Sequence, residues 1–85
     1  MANRKWFEGK ISNVSGKLFC FATSPNEALN LIKRAARKIL GLADGAFINQ
    51  PTIREADGNA VPSHSAKNNQ SYVIDGRRER ITLFH

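Results

Sequence analysis

The chain is short of several residue types, and each shortage excludes a class of protein. Cys20 is the one cysteine among 85 residues, so no internal disulfide can form, and neither a disulfide scaffold nor a cysteine-rich zinc site is open to it. There are two histidines. His64 lies in a polar stretch and His85 is the last residue, without convergent partners at ligand spacing, so neither a metal nor another cofactor is expected. No apolar run approaches the length of a membrane-spanning helix, and the opening MANRKWFEGK has no apolar core of the kind a signal peptide needs. With a lone thiol, this leads us to expect a cytoplasmic protein in a reducing compartment. Also missing are a nucleophile elbow, a glycine-rich phosphate cradle and paired carboxylates in an apolar setting. Ser, His and Asp do occur near residues 57–65, but in no catalytic arrangement. We therefore expect a protein that is not an enzyme.

Acids are scarce as well: 7 Asp plus Glu against 13 Lys plus Arg, a formal charge of +6. Such a balance draws polyanions or acidic protein surfaces and says nothing about fold. Apolar residues reach 41 % and phenylalanine occurs five times, enough for a small core in one domain over residues 1–85.

Local patterns give an order of β-β-α-β-(β)-β. Arg4–Ser12 alternates, with Phe7, Gly9 and Ile11 on one side and Trp6, Glu8, Lys10 and Ser12 on the other. Lys17–Thr23 is apolar on both sides, Leu18, Cys20 and Ala22 against Phe19 and Phe21, as a central strand would be. The helix of residues 24–41 is marked at both ends. Ser24 is a natural N-cap, Pro25 suits the first turn, and Glu27 completes a capping box by reaching back to the cap's own N–H. Gly41 suits a left-handed stop, and Arg37 and Lys38 complement the helix dipole. Ala28, Leu31, Ile32, Ala35, Ala36 and Ile39 form the apolar stripe, rich enough in Ala to let the helix lie close on a sheet. Beyond it AFINQPTIRE is β-rich but broken by Pro51, which suggests an edge strand or a bulge. Asp57-Gly58 reads as a turn that would close a hairpin onto residues 59–61, and 62–70 as a polar loop. Asp75-Gly76 fits a two-residue turn between Tyr72–Ile74 and Arg77–Phe84. Tyr72, Ile74, Ile81 and Leu83 would then share one face, and Val73, Arg78, Arg80 and Thr82 the other. The fold class is α+β, an antiparallel sheet of four to five strands with one amphipathic helix packed on one face.

Three cationic groups are candidate sites. Lys33, Arg34, Arg37 and Lys38 lie on the polar side of the helix at one-turn spacing, a surface that can span neighbouring phosphates. A solvated face is the plain alternative, but such a face usually mixes both signs, and no acid follows Glu27 within the helix. Arg78 and Arg80 offer forks for phosphate or carboxylate, or else protect a strand edge from pairing. With the helix cations pointing away from the sheet, that pair would stand on the opposite side of the molecule. Arg4 and Lys5 beside Trp6 combine charge with an aromatic ring, as a single-strand site does, although Trp6 also suits a strand residue half in the core. Cys20 between two phenylalanines reads as an inert core thiol.

From Lys17 to Gly41 the chain runs as an apolar strand, a Ser/Thr-led cap followed by EAL, and an amphipathic helix ending in ILG. In this pattern, and in the β-α-β layout of residues 17–85, it resembles small phage proteins that inhibit CRISPR surveillance complexes. The resemblance implies an interaction protein without catalysis that meets a host nucleoprotein. The basic charge departs from the members that mimic DNA with acidic surfaces, so that mechanism is not implied. Two functional expectations follow. The first is a basic module that binds nucleic acid or a nucleoprotein through the helix cations. The second is a phage or mobile-element inhibitor that binds an acidic protein surface of a host complex. No membrane partner is expected, and a strand edge could pair with a second copy of the chain.

Overall fold

The computed structural model describes residues 4–57, 71–76 and 80–84. Five strands and one helix follow in the order β1 (Lys5–Lys10), β2 (Leu18–Ala22), α1 (Pro25–Leu40), β3 (Thr52–Glu55), β4 (Ser71–Asp75) and β5 (Arg80–Phe84). The strands form a single antiparallel sheet ordered β3-β1-β2-β4-β5. The doubly apolar β2 occupies the centre, as its sequence requires. The strand that follows Pro51 lies at an edge, where a residue without an N–H is tolerated.

Alternation divides the sheet into two unlike faces. Phe7, Leu18, Cys20, Ala22 and Val73 meet the helix residues Ala28, Leu31, Ile32, Ala35 and Ala36, and Ile11, Val14 and Ile48 close the ends of this core. Packing is tight at Gly9, where a Cβ would stand 2.5 Å from Ile32 Cδ1 of the helix and 3.0 Å from Ile53 Cδ1 of β3. Phe19, Tyr72 and Ile74 make a second buried cluster on the far face, bordered by Trp6, Phe21 and Ala56.

Both helix ends follow their sequence signals, one with a change. Ser24 is extended and its Oγ accepts the N–H of Glu27 at 3.2 Å. The Glu27 carboxylate does not turn back to Ser24 as the capping box implied. It accepts the Thr23 hydroxyl at 2.7 Å and the Ser71 hydroxyl at 2.7 Å, with help from the Thr23 backbone N–H. A bond into β4 ties the helix start to the sheet, which a purely local box could not do. At the other end Gly41 has φ 72°. Its N–H donates to Lys38 O at 3.2 Å and that of Leu42 to Arg37 O at 2.8 Å, the paired bonds of a Schellman stop.

Three expectations are corrected. Residues 46–51 are irregular, not strand: Gly45 turns at φ 83°, and Ile48 leaves the β pattern to enter the core. The β4–β5 connection is longer than a two-residue turn, because Asp75 pairs with Arg80 and the ladder closes before residue 76. The face assignments survive this change because the register moves by an even number. Tyr72 is opposite Leu83, Ile74 opposite Ile81, and Val73 opposite Thr82. Val73 belongs to the helix-covered face, so position 80 is in register with that face and not with the far side of the molecule. The hairpin proposed at Asp57-Gly58 and the 62–70 loop lie outside the described residues.

Candidate nucleic-acid interface

The helix stripe that enters the core leaves Asn30, Arg34 and Lys38 exposed and Lys33 and Arg37 half-exposed. Lys33 and Arg37 stand one turn apart beside the segment that follows the helix. That segment turns back at Gly45, and its path is held at three points. The Arg37 Nε donates to Ala46 O at 2.9 Å, Ile48 is buried, and Asn49 Nδ2 donates to Ser12 Oγ at 2.6 Å. Between two anchored neighbours, Phe47 is pushed outward and is 88 % exposed. Lys33, Arg37 and residues 45–50 enclose an open recess. Among the described residues no acid lines it, and neither Lys33 nor Arg37 makes an ion pair.

Such a recess can hold an anion. Arg37 spends its Nε on the loop carbonyl, which leaves its two terminal nitrogens for a phosphate and fixes the guanidinium in advance. Arg34 and Lys38 add positive charge along the same helix, although each also has an interaction within the chain.

Of the other expected site residues, Arg4, Lys5 and Trp6 are not gathered here. Trp6 packs at 5.1 Å from Phe21 and edge-on to Tyr72 at 5.5 Å, on the sheet face away from the helix. The ring is half-buried, its packed part engaged with Phe21 and Tyr72. Lys5 pairs with Glu55 at 3.5 Å, and Arg4 donates to Ser71 Oγ at 3.4 Å. The triad of Arg4, Lys5 and Trp6 is thus dispersed into three separate contacts. Arg80 lies in the β5 ladder, and Arg78 is outside the described residues.

A second group of charges surrounds Glu8 on the far face. Glu8 is buried and receives Arg54 and, at 3.4 Å, Lys17. With Lys10 and Thr52 these residues border a second open recess. Of the three described cations here, two are already paired with a carboxylate, which weakens their attraction for an external anion. Among the described residues there is no group of three potential metal ligands, and no helix is long and apolar enough to cross a membrane.

Cys20 and Glu27 titrate abnormally for structural reasons. Burial, with the nearby Glu27 charge, pushes the Cys20 thiol up to about 12. The Thr23 and Ser71 hydroxyls, with the Thr23 N–H and the Arg4 charge, hold the Glu27 carboxyl below its usual range. Neither group lies in the recess.

The signal that sequence reading missed is Phe47. The chain matches no family model, no curated protein and no solved structure.

Proposed function

We propose that this protein is a non-enzymatic basic module that engages nucleic acid, free or within a nucleoprotein, through the solvent face of α1. The observation that carries the reading is that Lys33 and Arg37 stand together at the rim of a recess which, among the described residues, has no acid in its lining and no ion pair to either cation. On a face that served solubility alone, acids would be interspersed with the bases. Arg34 and Lys38 extend the charge along the helix to about four phosphate contacts. That number predicts a slope of log affinity on log salt of roughly −3 to −4.

The test is a gel shift with mixed single- and double-stranded DNA and RNA across a salt series, run beside capture of partners from a host lysate. Salt-dependent binding of nucleic acid supports the reading. Failure to bind any nucleic acid at low salt, together with stoichiometric recovery of an acidic protein complex, would replace it with the protein-directed inhibitor.

A further inference from the structure

We infer that the ligand of this face is an unpaired strand, and that Phe47 is the platform on which one of its bases stacks. The inference rests on the nucleic-acid reading and adds to it the form of the ligand.

Three observations carry it. Phe47 is 88 % exposed in a chain that buries Phe7 and Phe19 and half-buries Phe21. Its exposure is built in, because the neighbours on either side are tied down, Ala46 by the Arg37 bond to its carbonyl and Ile48 by burial in the core. The ring lines the same recess as Lys33 and Arg37. A basic groove beside a solvent-facing ring is what sequence-tolerant single-strand binding uses: cations follow the backbone while any base can stack on the ring.

The shape argues against a duplex. A major groove admits a helix as a projecting rod. Here the segment from Gly45 to Gln50 is folded against the Lys33 and Arg37 side of α1, so the surface offered is a recess with a wall and not a bare rod. In a duplex the bases are stacked on one another and their faces are closed to Phe47 except at the ends. In a single strand they are open.

The experiment is a set of fluorescence-anisotropy titrations at one salt concentration. The wild type, Phe47→Ala and Phe47→Trp are each titrated with a labelled 12-mer single strand, the same strand made abasic, and a 12-base-pair duplex. We expect Phe47→Ala to weaken single-strand binding about 5- to 150-fold, and Phe47→Trp to retain it. The abasic strand should bind the wild type about as weakly as the normal strand binds Phe47→Ala, and that substitution should cause no further loss on it. Because Phe47 is exposed, an unchanged Tm for Phe47→Ala shows that the fold is intact. If single strand and duplex bind alike and Phe47→Ala changes neither, the stacking inference is overturned while the nucleic-acid reading stands. If none of the three ligands binds at low salt, the nucleic-acid reading itself has failed. If polyglutamate displaces the strand equally well from the wild type and from Phe47→Ala, the site is a general acidic-surface binder and the inference is overturned.

Discussion

At the scale of single residues, two positions show how tightly the helix sits on the sheet. Gly9 is glycine because Ile32 fills the space its side chain would need, 2.5 Å from where a Cβ would stand. Gly9→Ala should therefore cost about 1–3 kcal/mol, as overpacking does. Ile32→Val removes the Cδ1 methyl that clashes, so the double variant should lose less stability than the two single losses added. Urea denaturation of all three tests this, and simple additivity would mean that the clash is relieved elsewhere. Ile32→Ala alone, at a fully buried position, should cost about 2–5 kcal/mol. Cys20 makes a different prediction. Its thiol is pushed to about 12 in the folded protein, above the ordinary value near 9 that applies when the chain unfolds. Between those two values the unfolded chain gives up the proton and the folded one keeps it, so stability falls as pH rises from about 9 towards 12. Cys20→Ala should show a shallower fall over that range than the wild type. The native thiol should also stay inert to a disulfide reagent at pH 8 until denaturant is added.

At the scale of elements, the helix was the part most readable in the sequence, because its signals are local. A cap, a first-turn proline, a 3.6-residue stripe and a terminal glycine each act within a few residues of themselves. The strand faces were readable for the same reason, period two being insensitive to where the strands end. The partner of Glu27 was not readable. Its second bond goes to Ser71, 44 residues away, and no local rule supplies that. The β4–β5 connection was misjudged because Asp75-Gly76 is a strong turn signal, yet Asp75 is held within the ladder opposite Arg80. The Glu27 contact has a pH consequence. The folded carboxyl titrates below its usual range, so its contribution is present above the ordinary carboxylate pKa and is lost as pH falls through the depressed value. Glu27→Gln should be less stable than the wild type at neutral pH, and its Tm should fall less between pH 6 and pH 3. Parallel acid limbs for the two proteins would show that the hydroxyl bonds do not favour the charged form.

At the scale of the whole molecule, the question is whether +6 acts as a diffuse field or as a site. The four cations of the proposed site were visible as one face of a helix. Phe47 was not, because its exposure arises from the folding back of residues 45–50, and a phenylalanine within a β-rich stretch reads as core. The fold also answers the question in a testable way, because it separates the charges. Lys33 borders the recess beside α1, while Lys10 borders the recess on the far face of the sheet, where Glu8 already binds Lys17 and Arg54. Lys33→Glu and Lys10→Glu remove the same charge, each replacing a cation by an anion and taking the formal total from +6 to +4. A diffuse field would feel them equally. A site on α1 would not. Lys33→Glu should weaken single-strand binding markedly and lower the magnitude of the salt slope by about 0.7 for the phosphate contact it removes. Lys10→Glu should leave that slope unchanged and slow association only modestly, by an amount that vanishes above about 0.15 M salt, where charges more than a Debye length of about 8 Å away are screened. Equal losses from the two variants at that salt concentration would mean that the helix face has no privileged role, and that binding follows net charge alone.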